Sequence, residues 1–111
     1  QASPATLDTA GAEKLGWKLG VQTYSFNRFT FFEAIDKAAS VGLKYAEAYP
    51  GQKIAADIDG TMGPGMSDEQ IRLVKEKLRS AGVQLTAFGV TGLSADEASS
   101  RSTFEWCKEM G

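Results

Sequence analysis

The sequence contains no histidine and one cysteine among its 111 residues. Without histidine, the chain has no imidazole to bind a metal ion, to serve as the base of a nucleophilic triad, or to transfer protons near neutral pH. The single cysteine, Cys107, forms no disulfide within the chain. Its spacing with Phe104 and Met110 predicts an apolar helical face. We therefore interpret Cys107 as a small buried hydrophobic residue rather than a nucleophile.

Long apolar runs and basic clusters are also missing. No stretch approaches the roughly 18 apolar residues that cross a bilayer, so we expect no membrane span. Twelve basic residues stand against fourteen acidic ones, which gives a net charge of −2. Since no run of Lys or Arg offers a surface to a phosphate backbone, nucleic acid is not an expected partner. The 42% hydrophobic content is typical of a folded globular unit.

The first 16 residues are small, polar and without periodicity, and they predict a disordered N-terminal tail over residues 1–16. Residues 17–111 form the predicted folded part. Such a start is typical of the mature end left after a secretory signal is cut, which favours an exported, periplasmic protein. A trimmed chain would look the same, and a cytoplasmic location is the alternative.

Strand and helix signals alternate after the tail. Residues 17–26, 43–49 and 84–90 predict strands. Three capping-box patterns, in which a hydroxyl and an acid or amide three residues later satisfy the first free amides of a helix, predict helices after Thr30, Ser67 and Ser94. Gly42 and Gly82 suit the left-handed position that ends the first two helices. The Gly- and Asp-rich residues 50–66 predict a long loop.

This order predicts an α/β fold, a βαβαβα segment with parallel strands and right-handed crossovers. An eight-unit barrel of roughly 250 residues has about 31 residues per unit, so the roughly 95 residues after the tail correspond to about three units. We therefore expect the first three units of a (β/α)₈ TIM barrel, incomplete as the chain stands. Gly111 matches the glycines that introduce the earlier strands, and we expect a fourth strand to follow it.

Several short segments together resemble the amino-terminal part of the sugar phosphate isomerase/epimerase family, whose members are xylose-isomerase-like TIM barrels. The resemblance extends over most of the chain after residue 16 and is carried by residues 19–26, 34–38, 42–47, 63–67 and 81–85.

The resemblance implies a metal-dependent sugar isomerase or epimerase with a small sugar or sugar phosphate as its ligand. In that family a divalent metal ion (Mn, Mg, Zn or Co), held by Glu, Asp and His side chains, polarises a sugar carbonyl while carboxylates move a proton. Those ligands belong to later strands of the family barrel, beyond residue 111. The resemblance therefore implies no metal ligand and no assigned catalytic residue in this chain.

Candidate binding residues are those at the carboxyl ends of the predicted strands, where TIM barrels place their sites. Glu47 ends the second strand in a pattern that matches the family from Gly42 onward. We expect it to be a pocket carboxylate that accepts hydrogen bonds from sugar hydroxyls. The alternative is a structural partner for a neighbouring lysine or backbone amide.

Aromatic residues at the same predicted edge can pack on the apolar face of a sugar ring. Tyr24 and Phe26 end the first strand, Tyr49 the second and Phe88 the third, and all four are candidate substrate-binding residues. Packing in the core or at its rim is the alternative for each.

The loop from Gly60 to Gly65 precedes a predicted helix start that can hold a phosphate. It lacks the established phosphate-loop patterns, so we interpret it as a loop that uses glycine for its turns. Asp57 and Asp59 match two positions of a calcium-binding loop, which is too few to predict a metal site.

The predicted function is therefore an N-terminal fragment of a metal-dependent sugar (phosphate) isomerase or epimerase, which contributes carbohydrate-pocket residues without the metal centre and is inactive alone. The alternative is a non-catalytic carbohydrate-binding or assembly module. Its unpaired strand edges would need the rest of the barrel or a second copy of the chain as partner. A DNA endonuclease on the same fold is disfavoured by the acidic balance.

Overall fold

The computed structural model of the protein describes residues 6–111. It is a mixed α/β fold with helices packed on a small parallel sheet. In chain order the elements are α1 (Ala10–Lys14), β1 (Gly20–Gln22), a 3₁₀ helix (Thr23–Phe26), α2 (Phe31–Ser40), β2 (Tyr45–Ala48), β3 (Lys53–Ala55), β4 (Ile58–Thr61), α3 (Asp68–Ala81), β5 (Gln84–Phe88) and α4 (Glu97–Met110).

The parallel sheet has the strand order β1–β2–β5, as the alternation of strand and helix signals predicted. Gln22 of β1 pairs with Glu47 of β2. The register between β2 and β5 shifts after Ala46, so Glu47 pairs with Ala87 and Thr86 is left over as the extra residue of a bulge. The three strands end side by side, which brings the residues that follow them to one edge of the sheet.

The first strand is shorter than predicted. Beyond Gln22 the chain turns into a 3₁₀ helix, in which the Asn27 amide donates to the Tyr24 carbonyl at 3.1 Å. The pairing of β1 with β2 ends at Glu47, so the residues after Gln22 have no ladder partner and satisfy their backbone groups locally. Tyr24 and Phe26 therefore lie on a turn after the strand and not at its end.

Two predicted helix starts are confirmed with complete capping boxes. Thr30 Oγ1 accepts from the Glu33 amide, and the Glu33 carboxylate accepts from the Thr30 amide at 2.7 Å. Ser67 and Gln70 make the equivalent pair of hydrogen bonds at the start of α3. These contacts depend on neighbours three residues apart, which is why the sequence alone predicts them.

The predicted start and apolar face of α4 were wrong in part. The helix is capped by Asp96, whose carboxylate accepts from the Ser99 amide at 2.9 Å, and not by Ser94. Trp106 and Met110 are its buried residues, whereas Phe104 is 62% exposed. The bulky indole takes the position against the sheet and turns Phe104 toward solvent.

The predicted loop 50–66 contains a short antiparallel hairpin, β3–β4, with Ala55 paired to Ile58. Ile54 and Ala55 are buried in the core, while Asp57 and Asp59 are exposed. Strands of three and four residues are too short to give a clear alternation pattern, so the sequence did not predict them.

The prediction of a disordered tail was wrong for residues 6–16, and its residues 1–5 lie outside the described residues. The Leu7 amide donates to the Val41 carbonyl at 2.7 Å, and Glu13 of α1 pairs with Lys44 at 2.6 Å. A five-residue helix is unstable alone, so these contacts with the turn before β2 are what hold it.

One cluster of buried apolar side chains joins α2, α3 and α4 to one face of the parallel sheet. Ala46, Ala48 and Leu85 belong to that face and are buried. Tyr45 and Glu47 alternate with the two alanines and are partly exposed on the opposite face. No helix within residues 6–111 combines the length and the apolarity needed to cross a membrane.

Candidate functional site

A cleft of about 390 Å³ lies where the strands of the parallel sheet end. This volume falls within the range of small-ligand sites. Its walls come from the residues at and just after the ends of β1, β2 and β5, which are Gln22, Tyr24, Tyr49, Pro50, Gly89 and Val90. We call this the strand-end cleft. These residues come together because the three strands are parallel and end at the same edge of the sheet.

Two hydrogen bonds join the ends of the three strands beside the strand-end cleft. Gln22 Nε2 donates to the Gly89 carbonyl at 2.9 Å, and the Gly89 amide donates to the Ala48 carbonyl at 3.0 Å. Together they tie the end of β5 to both other strands. No described residue donates to Gln22 Oε1, so this amide oxygen can accept from a ligand hydroxyl.

Glu47 is not one of the residues that line the strand-end cleft, but its carboxylate lies close to one of them, Gly89. A methyl group built on Gly89 would lie 3.7 Å from Glu47 Oε2, which places the carboxylate against the cleft wall. No lysine, arginine or amide within residues 6–111 pairs with this carboxylate, so the alternative of a structural ion pair finds no support in the described part of the chain. An ionised carboxylate in this position can accept two or more hydrogen bonds from a polyol.

Tyr24 and Tyr49 form an aromatic pair at the mouth of the strand-end cleft. Their ring centroids are 5.0 Å apart with an angle of 75° between the planes, an edge-to-face contact. Tyr24 is 56% exposed, whereas Tyr49 is only partly exposed. Burial, with a smaller contribution from Tyr24, raises the pKa of the Tyr49 phenol above its usual value of 10.0. Tyr49 therefore stays a neutral hydroxyl that can both donate and accept.

Tyrosinate absorbance during an alkaline titration is expected to include a late step from Tyr49, above the usual pKa of a tyrosine. In the folded protein its raised pKa keeps the phenol neutral at a pH where the unfolded chain would lose the proton. The associated stability is complete below about pH 10 and is lost as the pH rises through the folded pKa. Tyr49→Phe should remove the late step of the titration and leave the earlier ones unchanged. A wild-type curve without this late step would contradict the burial of the phenol.

Like Glu47, the predicted pocket residues Phe26 and Phe88 do not line the strand-end cleft. Phe88 pairs with Ala48 on the helix-covered face, and its ring lies 4.5 Å from that of Trp106, centroid to centroid. Because of the bulge at Thr86, the alternation of side chains between the two faces of the sheet is offset by one residue. Phe88 therefore faces the helices and packs against the core, which is the alternative given for it above. Phe26 is the last residue of the 3₁₀ helix and is outside the cleft walls.

Pro50 and Val90 line the strand-end cleft without having been predicted. Pro50 follows the last residue of the second predicted strand and Val90 is the last residue of the third, so the rule that selected Tyr49 would have found them. They carry no polar side chain, so nothing in their chemistry drew attention to them.

A larger apolar groove of about 430 Å³ lies between β5 and α4, with Trp106, Cys107 and Met110 in its wall. Burial raises the pKa of the Cys107 thiol, so the reactive thiolate is disfavoured there. The strand-end cleft is the better candidate site because polar groups from three strands converge on it.

The loop before α3 and the two loop aspartates gain no support as sites. The first free amides of α3 are occupied by the side chains of Ser67 and Gln70, and Gln70 Nε2 also donates to the Asp59 carbonyl at 2.7 Å. Within residues 6–111, no three His, Cys, Asp or Glu side chains come together as ligands for a metal ion. The residues described here do not by themselves form a metal site.

The chain matches no protein-family model and no curated protein. Its structure is similar to the crystal structure of an uncharacterized protein from Parabacteroides distasonis ATCC 8503, with a TM-score of 0.79 and 29% sequence identity. The similarity covers 86% of this chain and 40% of the other, so this chain spans less than half the length of that protein. The fold is shared with that protein, whose description names no function.

Proposed function

We propose that this chain forms the first three units of a (β/α)₈ barrel and supplies part of the carbohydrate-binding site of a sugar isomerase or epimerase. The observation that carries the proposal is the strand-end cleft, which has an aromatic pair and a hydrogen-bonded amide in its walls and an unpaired carboxylate beside it, where three parallel strands end. TIM barrels bind their substrates at this edge.

The barrel part of the proposal is supported by topology and by length. Sequential parallel strands lie side by side, and α2, α3 and α4 cover one face, as in the wall of a barrel. Of 111 residues, 86% is about 95 residues, and since these make up 40% of the P. distasonis protein, that protein has about 240 residues. This length is close to the roughly 250 residues of a complete barrel. The free edge of β5 is where a fourth unit would pair.

The carbohydrate part of the proposal is supported by the mixture of groups in the cleft. Sugars present an apolar ring face and a rim of hydroxyls, so their sites combine aromatic rings with hydrogen-bond acceptors and donors. Tyr24 and Tyr49 supply the rings. Gln22 supplies an acceptor whose position is fixed by its hydrogen bond to Gly89, and Glu47 supplies a second acceptor close to the same residue.

In this proposal the chain's residues bind and orient the sugar, while proton transfer takes place on groups supplied by the rest of the barrel. The resemblance adds a divalent metal ion that would polarise the sugar carbonyl. The described residues do not make up its ligand set, and no step of the reaction is assigned to them.

Tyr24→Ala is expected to weaken the binding of D-fructose about tenfold. A tyrosine ring that covers roughly 50 Å² of a sugar face contributes on the order of 1.3 kcal/mol at about 25 cal/mol per Å², which is close to a factor of ten in the dissociation constant. The measurement is an NMR titration of the chain that follows the resonances of Tyr24, Tyr49 and Gly89.

Phe104→Ala serves as the matched control, since Phe104 is a similarly exposed aromatic residue on α4, outside the cleft walls. It should leave the titration unchanged. Equal binding by wild type and Tyr24→Ala, or resonance changes centred away from the cleft, would argue against the proposal.

A further inference from the structure

We propose that the strand-end cleft selects an uncharged sugar, or the uncharged end of a sugar, and rejects a phosphate group. The inference rests on the proposed function and adds the charge of the ligand. It follows from the charges around the cleft and from the hydrogen bonds that side chains make to backbone amides at the helix starts.

The cleft offers a negative charge and no positive one among its described walls. Its six lining residues carry amide, phenol, aliphatic or backbone groups, and none is Lys or Arg. Glu47 Oε2 lies 3.7 Å from a methyl group built on Gly89, a wall residue, so its negative charge is close to any ligand that fills the cleft. A phosphate placed there would lose water and gain repulsion, whereas a hydroxyl would donate a charge-assisted hydrogen bond to the same carboxylate.

At the three longer helices, side chains of the protein itself already accept hydrogen bonds from some of the backbone amides at the helix start. Free amides at a helix start attract anions. At α2 the amides of Thr30 and Glu33 donate to each other's side chains, at α3 those of Ser67 and Gln70 do the same, and at α4 the Ser99 amide donates to Asp96. Glu33 and Asp96 also bring negative charge to these positions, which opposes a second anion.

The basic side chains of Lys37, Lys44 and Arg28 are not part of the cleft wall. Lys37 lies over the ring of Phe29, with Nζ 4.2 Å from its centroid, and Lys44 pairs with Glu13. Arg28 is exposed in the loop that follows Tyr24 and is not part of the cleft wall. Rejection of phosphate therefore depends on Glu47 and on the uncharged character of the walls.

The experiment compares D-fructose with D-fructose 6-phosphate by NMR titration of the chain at low ionic strength. We expect fructose to bind on the order of fivefold more tightly, and the difference to shrink as salt screens the carboxylate. Glu47→Gln, which keeps the size and removes the charge, should narrow the ratio of the two dissociation constants. Since no described residue pairs with Glu47, the fold should tolerate this change, and circular dichroism checks it.

A second variant tests the same idea by gain of function. Val90 is 93% exposed in the cleft wall, so Val90→Lys adds a cation at little cost to folding. It should tighten binding of fructose 6-phosphate by about two- to fivefold, the range of an exposed ion pair. Leu93→Lys is the matched control, because Leu93 is also exposed but lies outside the cleft.

The possible outcomes separate the two proposals. Tight binding of fructose 6-phosphate to the wild-type chain, especially if Arg28→Ala abolishes it, would overturn the charge selection while leaving a sugar site in place. An unchanged ratio in Glu47→Gln would also overturn it. If neither sugar shifts the resonances of Tyr24 and Tyr49, the proposed function fails and the charge selection falls with it.

Discussion

Replacing Phe31 with alanine is expected to lower the free energy of unfolding by about 3–5 kcal/mol. Phe31 is the first residue of α2 and is 0% exposed, in the cluster that joins the helices to the sheet. Removing the ring leaves a cavity between elements that are held by other contacts and collapse only in part. A domain of this size is stable by about 5–15 kcal/mol in total, so this loss is a large share of its stability.

Equilibrium unfolding in urea measures this effect, and Phe104→Ala is its control. Phe104 is the same residue type at 62% exposure on α4, and its truncation should change stability by about 0.5 kcal/mol or less. A loss below about 1 kcal/mol for Phe31→Ala, or equal losses for the two variants, would show that Phe31 is not in a packed core.

Replacing Gly20 with alanine is expected to lower the free energy of unfolding by about 1–3 kcal/mol. A methyl group on Gly20 would lie 2.5 Å from the Tyr45 carbonyl oxygen and 2.8 Å from its carbon. Both atoms belong to the backbone of β2, so no side chain can rotate away and the two strands must separate. Gln22 and Glu47 are paired two residues further along the same strands, so the strand-end cleft should be disturbed as well.

Gly65→Ala is the matched control for Gly20→Ala. A methyl group on Gly65 meets nothing within 4 Å, and its backbone angle is one that alanine adopts. Thermal unfolding should show a clear loss for Gly20→Ala and little change for Gly65→Ala. If Gly20→Ala unfolds at the wild-type temperature, this result would contradict the close approach of β1 to β2 at Gly20.

The parts of the fold that sequence predicted correctly are those specified by neighbours along the chain. Thr30 with Glu33 and Ser67 with Gln70 set two helix starts, since each hydroxyl reaches an amide three residues away. Gly42 and Gly82 have positive φ angles of 88° and 70° just after helices, where a side chain would be strained. The order of strands and helices then predicted the parallel sheet.

The parts predicted incorrectly depend on residues far apart in sequence. The segment from residue 6 to 16 forms local turns and a short helix because Val41 and Lys44 bind it, and neither is visible in its own composition. The indole of Trp106 displaces Phe104 from the sheet for a similar reason, because which apolar residue faces the core is decided by the element it packs against.

The sequence by itself determined that Glu47 and Tyr49 lie at the end of the second parallel strand. Because side chains alternate between the two faces of a strand, it also placed the Glu47 carboxylate on the face opposite the buried alanines. Tertiary structure alone decided which other residues join them. The bulge at Thr86 turns Phe88 into the core, and the end of pairing after Gln22 bends Tyr24 into contact with Tyr49. Both outcomes depend on how one strand is paired with the next, and that pairing is a property of the folded sheet that no single segment carries.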